Sequence, residues 1–207
     1  MGAGGAGGIE MSGRIAAGAI AAVGIAALAA QAAVLAAIPP FGTALSVLWR
    51  LAGYFTILTN ALVTAHFVAI AAGGRVGAVR AGGLVAWIGL VGVVYHLLLA
   101  DLRVLDGLAW WADQGLHTAM PVLVALWWWA HAPATPLPWR AAAHWAIWPL
   151  VYCAYALVRG AATGFYPYPF LDAGALGYGG VAVRVAGMAA AFVAGGLGLV
   201  ALSRLRR

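Results

Sequence analysis

The residues able to do chemistry are few in this chain, and several share one level of it. Thr56, Thr59 and Asn60 recur at three- and four-residue spacing, so a helix there presents two hydroxyls and an amide on one face. Thr64 and His66 follow on the same segment. Gly115-Leu116-His117-Thr118 opens another segment, with Pro121 one turn later. Proline has no N–H for the carbonyl four residues back, so a bend is expected at His117, with that carbonyl left free. His96, the acidic residues Asp101, Asp106 and Asp113, and the loop from Thr163 to Asp172 fall near the same level. Hydroxyls, imidazoles and carboxylates are the materials of acid–base chemistry; the plain alternative for each is a hydrogen bond between helices.

What must position these groups is a set of membrane helices. Of 207 residues, 65% are hydrophobic and only 8% charged, against about 25% charged in a soluble domain. The apolar residues fall in blocks of about 20, separated by short stretches rich in Arg, Asp and Pro, as in a polytopic helical membrane protein. The expected fold is all-α, a bundle of six transmembrane helices over 15–38, 51–72, 82–100, 116–132, 141–160 and 178–203. Pro39-Pro40, Gly73-Gly74-Arg75 and the stretch from Pro133 to Pro138 end three of them. The Gly-rich residues 1–14 are expected to be disordered, and 204–207 to form a basic tail.

Six crossings put both termini on one side. With the N-terminus inside, the inner segments carry Arg14, Arg75, Arg80, Arg140, Arg204, Arg206 and Arg207, and the outer ones only Arg50, Arg103 and Arg159. The positive-inside rule then favours cytoplasmic ends. The basic residues are all Arg, which with the abundant Ala and Gly suggests a bacterial inner-membrane protein. One cysteine, Cys153, excludes a disulfide framework, and scattered charge disfavours nucleic-acid binding. Neither a CxxC nor an HExxH pattern is present, so no metal or cofactor is expected; a GxSxG elbow is missing as well. Ten tryptophans fit interfacial belts. The outer loop, with two prolines and four aromatics from Phe165 to Phe170, suits a cap packed on protein. Arg184, just inside the last helix, has three uses open to it: snorkelling, pairing with Asp172, or receiving an anionic headgroup.

Three pieces carry a resemblance: Phe55-Thr56-Ile57-Leu58-Thr59-Asn60, Gly115-Leu116-His117-Thr118-Ala119-Met120-Pro121, and Thr163-Gly164-Phe165-Tyr166-Pro167-Tyr168-Pro169-Phe170-Leu171-Asp172. In order and spacing they resemble the membrane proteins related to the androgen-induced gene product and the androgen-dependent regulator of tissue-factor-pathway inhibitor. The resemblance implies a transmembrane hydrolase with a threonine nucleophile and a histidine, acting on fatty acid esters of hydroxy fatty acids. The histidine maps onto His117. The threonine maps onto Thr56, with Thr59 the alternative, because the family's spacing to an Asn or Asp differs by one residue here. His117 would act as base, with Asp113 one turn earlier to orient it and Asn60 or a backbone N–H near the bend to hold the oxyanion. His96 would support the same layer, and Tyr166, Tyr168, Asp172 and Arg184 would bind a lipid substrate arriving sideways from the bilayer. Two other readings stand beside this one: a haem- or quinone-binding redox protein using paired histidines, and a non-catalytic transporter or lipid-binding scaffold.

Overall fold

A computed structural model describes residues 9–102 and 104–206, and every regular element in them is helical. Residues 1–8, Arg103 and Arg207, on which part of the expected disordered terminus and of the charge count falls, lie outside the described residues. The elements are α1 (Met11–Ala36), α2 (Ala44–Leu51), α3 (Phe55–Ala71), α4 (Ala78–Val94), α5 (Gly107–Gln114), α6 (Met120–His131), α7 (Arg140–Thr163) and α8 (Ala173–Ser203). Positions 11–14, expected to be disordered, instead form the first turn of α1.

Among the described residues, four helical segments are long and apolar enough to cross a membrane: α1, Ala78–Leu102, α7 and α8. A fifth is added if α2 and α3 form one broken span. Length and apolarity therefore support four or five crossings. The remaining candidate, α5 with α6, is long enough, but Asp113, Gln114, His117 and Thr118 dilute its apolar character.

Two irregularities bear directly on the polar layer. Of the helix expected over 51–72, residues 55–71 form α3, and the chain bends by 99° between α2 and α3. Thr56 is consequently the second residue of α3, at a helix N-terminus. The other irregularity is a pair of π turns, Tyr95–Leu99 running on from α4 and Gly115–Ala119 joining α5 to α6. Such insertions break the regular ladder and re-aim side chains. The second falls where Pro121 predicts a bend.

The helix ends sort into two groups. At one end Trp127 donates to the Gly13 carbonyl at 2.8 Å, Arg14 reaches the Ala71 carbonyl, and Arg206 bonds the carbonyls of Trp129 and Ala132. The basic tail is thus docked as far as Arg206, whose guanidinium also covers Trp128. At the opposite end Tyr152 donates to the Gly53 carbonyl at 2.7 Å, and Arg159 to that of Trp49. Close approach between helices falls at particular small residues. A Cβ on Gly24 would lie 2.1 Å from Thr64 Oγ1, and one on Gly115 would lie 2.7 Å from the Ala27 Cβ. Thr64 packs against α1 this way and its hydroxyl has no hydrogen-bond partner among the described residues, contrary to the expected interhelical bond. His66 bonds the Leu62 carbonyl of its own helix.

Candidate active site

The polar layer is assembled from α3, the two π turns, the end of α5 and the loop before α8. Thr56 Oγ1 lies 3.3 Å from His117 Nε2. His117 Nδ1 faces two acceptors of Asp113, the backbone carbonyl at 3.0 Å and Oδ1 at 3.1 Å. Two acceptors at Nδ1 assign the ring proton there and leave Nε2 free to accept one. Tyr95 donates to Asp113 Oδ2 at 2.5 Å, and its ring stacks on the imidazole with centroids 4.0 Å apart. Hydroxyl, imidazole, carboxylate and phenol thus form one chain of contacts. It can move a proton from the threonine to the histidine while the carboxylate holds the imidazolium that results.

Asn60 has a different part from the oxyanion role expected of it. Its amide donates to the Thr56 carbonyl at 2.9 Å and the Leu116 carbonyl at 3.3 Å, so both N–H groups are committed to backbone and neither is offered to an oxyanion. The residue ties the first turn of α3 to the π turn holding His117, and so fixes Thr56 and His117 relative to each other. Thr59 is fully buried, and its hydroxyl accepts from Trp148 Nε1 at 3.0 Å. Of the two threonines, only Thr56 meets the imidazole.

The loop before α8 is packed as a cap. Leu171 is fully buried, and the Tyr168 ring makes edge contacts with Tyr54 and Tyr152. The Tyr168 hydroxyl accepts from the Thr56 N–H at 3.4 Å and stands 3.5 Å from Thr56 Oγ1. The other three expected binding residues lie elsewhere. Tyr166 packs over Gly160, where a Cβ would lie 2.1 Å from the ring, and does not line the cavity at Thr56. Asp172 caps α8 by accepting from the Ala175 N–H, a local task of a short acidic side chain. Arg184 bonds the Gly180 carbonyl of its own helix and neither pairs with Asp172 nor reaches the cavity. His96 bonds Thr118 at 3.1 Å and meets the cluster at one remove, through the edge of the Tyr95 ring and through the Thr118–Gln114 hydrogen bond.

A cavity of about 300 Å³ opens onto Thr56 and His117. Its walls add Gln31, Tyr54, Tyr95, Arg50 and the prolines flanking Tyr168. Two of these were missed in the sequence. Tyr95 adjoins His96, and a phenol at that depth was itself a signal. Arg50 was counted only as an outer charge. Its guanidinium lies 3.5 Å over the Phe165 ring, a contact that uses the flat face of the group and leaves its edge donors for another partner. No group of three or more His, Cys, Asp or Glu side chains suited to a metal ion gathers among the described residues.

Fold and site together define an all-helical membrane protein with a Thr–His–Asp–Tyr cluster beside an amphipathic cavity. Comparison with protein-family models, curated proteins and solved structures finds no match.

Proposed function

We propose that the protein is an integral-membrane lipid ester hydrolase, with Thr56 as nucleophile and His117 as base, acting on fatty acid esters of hydroxy fatty acids or closely similar esters. The observation that carries this reading is the 3.3 Å approach of Thr56 Oγ1 to His117 Nε2, on an imidazole whose Nδ1 is held by Asp113. An alcohol is a weak nucleophile at neutral pH and needs such a base. Oγ1 attacks the ester carbonyl as Nε2 takes its proton. The tetrahedral intermediate collapses with cleavage of the bond to the alcohol oxygen, and Nε2 returns the proton to that oxygen. Water, deprotonated by Nε2, then hydrolyses the threonyl ester and frees the fatty acid.

The negative charge of the intermediate forms beside the N-terminus of α3, where N–H groups have no intrahelical acceptor and the helix dipole is positive. The O–H of Tyr168, whose oxygen accepts from the Thr56 N–H, and the positive end of that helix replace Asn60 as the oxyanion site. Arg50, on the wall of the same cavity, supports a substrate with a free carboxylate.

In this reading α2–α3 is one broken crossing and α5–α6 another, giving six in all. Both termini are cytoplasmic, and the site sits near the outer face of a bacterial inner membrane. Fluorophosphonate labelling of the purified protein tests the chemistry. The wild type is expected to react, and Thr56→Ala and His117→Ala to lose labelling and ester turnover while eluting as folded protein. Labelling that survives Thr56→Ala would remove the threonine from the mechanism, and a wild type inert to every lipid ester would leave a scaffold.

A further inference from the structure

Thr56 stands between two spaces. Together with Tyr168 and Leu99, it lines both the outer cavity that holds Arg50 and a smaller pocket of about 50 Å³ on the inner side of Tyr168. That pocket in turn shares Leu90, Val94 and Met188 with a groove of about 490 Å³ between α4 and α8. The shared walls make one tract, from the arginine past the hydroxyl and out between two helices.

The groove has a single chemical character. Every residue lining it is Val, Leu, Ala, Gly, Phe or Met, with no hydrogen-bonding side chain. On α8 it extends from Met188 to Leu202, roughly 20 Å at 1.5 Å per residue, about two-thirds of a hydrocarbon core. Its glycines are of two kinds. Gly196 is needed for packing, since a Cβ there would lie 3.1 Å from Ala142. Gly89 and Gly195 are not, because a Cβ on either would meet nothing within 4 Å. Glycine in a helix costs roughly 0.5–1 kcal/mol relative to alanine, and no neighbour explains that cost at these two positions. What they leave is open width in the groove.

We infer that the α4–α8 groove is the acyl-chain subsite and lateral access route of this hydrolase, taking the fatty acyl chain of the ester while the hydroxy-acid part lies in the outer cavity toward Arg50. The inference rests on the hydrolase reading. It also fixes the direction of the substrate. A carbonyl at Thr56 has two chains leaving it; the one ending in a carboxylate is matched by the side lined by Arg50, and the plain hydrocarbon by the side whose described lining has no polar group. An acyl chain in this groove reaches the nucleophile straight from the bilayer.

Filling the groove tests this. Gly195→Phe and Gly89→Phe add a ring where there is space, and Gly187→Phe, on α8 but outside the groove, is the control. The measured quantity is the ratio of kcat/KM for palmitoyl to butyryl esters of one hydroxy acid. That ratio is expected to fall about tenfold in either groove variant and to keep its wild-type value in Gly187→Phe. A ratio unchanged in both groove variants overturns the inference and leaves the hydrolase reading standing. If the wild type hydrolyses neither ester, the hydrolase reading fails, and the groove is judged by a photoreactive palmitic acid bearing a diazirine near its methyl end. Crosslinks to α4 and α8 that fall about tenfold in Gly195→Phe but not in Gly187→Phe support the chain site. Crosslinks undiminished in Gly195→Phe overturn it.

Discussion

The Tyr95 ring lies parallel to the His117 imidazole, with centroids 4.0 Å apart and planes within 16°, and its hydroxyl donates to the carboxylate that holds His117 Nδ1. Each residue belongs to a π turn, and the two turns face each other where α4 meets the α5–α6 junction. Gly92 permits the approach, since a Cβ there would press on the His117 carbonyl at 3.1 Å. The imidazole is therefore held on its face by Tyr95, at Nδ1 by Asp113 and at Nε2 by Thr56.

Tyr95→Phe keeps the stacked ring and removes only the bond to Asp113. Turnover is expected to fall by about three- to tenfold with little change in KM, and Tyr95→Ala, which uncovers the ring, by about a hundredfold. Steady-state kinetics on both variants decide it; equal losses would mean that the stack contributes nothing.

Asp113→Asn should be milder than the loss of a triad carboxylate usually is. The backbone carbonyl of residue 113 also faces Nδ1, at 3.0 Å, and survives the substitution. It keeps the ring proton on Nδ1, so kcat is expected to drop about 10- to 100-fold, against about 10⁴ where a carboxylate alone sets the tautomer. A loss of the larger size would show that the backbone acceptor does not hold the ring.

The two threonines should separate cleanly. Thr59→Ala leaves the Trp148 indole N–H without its acceptor, which costs about 1 kcal/mol of stability, and keeps fluorophosphonate labelling. Thr56→Ala should show the reverse: near-normal melting and no labelling. Thermal unfolding in detergent beside gel fluorescence reads both.

Arg50→Gln keeps a polar side chain in the cavity and removes the charge. For an ester with a free carboxylate, kcat/KM is expected to fall about tenfold or more, mainly through KM. The same substrate with its carboxylate methylated should be hydrolysed equally by variant and wild type. If both substrates lose equally, Arg50 holds the loop through Phe165 instead of reading the ligand.

Gly24→Val drives a side chain into Thr64, where even a Cβ would lie 2.1 Å from Oγ1. The α1–α3 contact must open, at a cost of about 1–3 kcal/mol. Melting temperature should drop, whereas the same change at Gly198, where a Cβ meets nothing within 4 Å, should leave it unmoved.

Composition and pattern determined the solvent of this protein, its helical class, and the short set of residues worth watching. These are local properties: an apolar block satisfies its own backbone as a helix whatever surrounds it, and a proline such as Pro121 disturbs its own turn. That is why His117 and Asp113 were readable together, being one turn apart on the same segment. What needed the tertiary structure was every relation between segments. The bend that puts Thr56 at a helix N-terminus, the contact of Thr56 with His117, the commitment of Asn60 to backbone carbonyls, and the arrival of Tyr95 and Arg50 beside them all depend on which helix packs on which. Arg184 and Asp172 were open in the sequence to pairing with each other or to binding a substrate, yet Asp172 caps the start of α8 and Arg184 bonds a carbonyl of the same helix. Spacing along a chain fixes the face a side chain occupies; only packing between helices decides what that face meets.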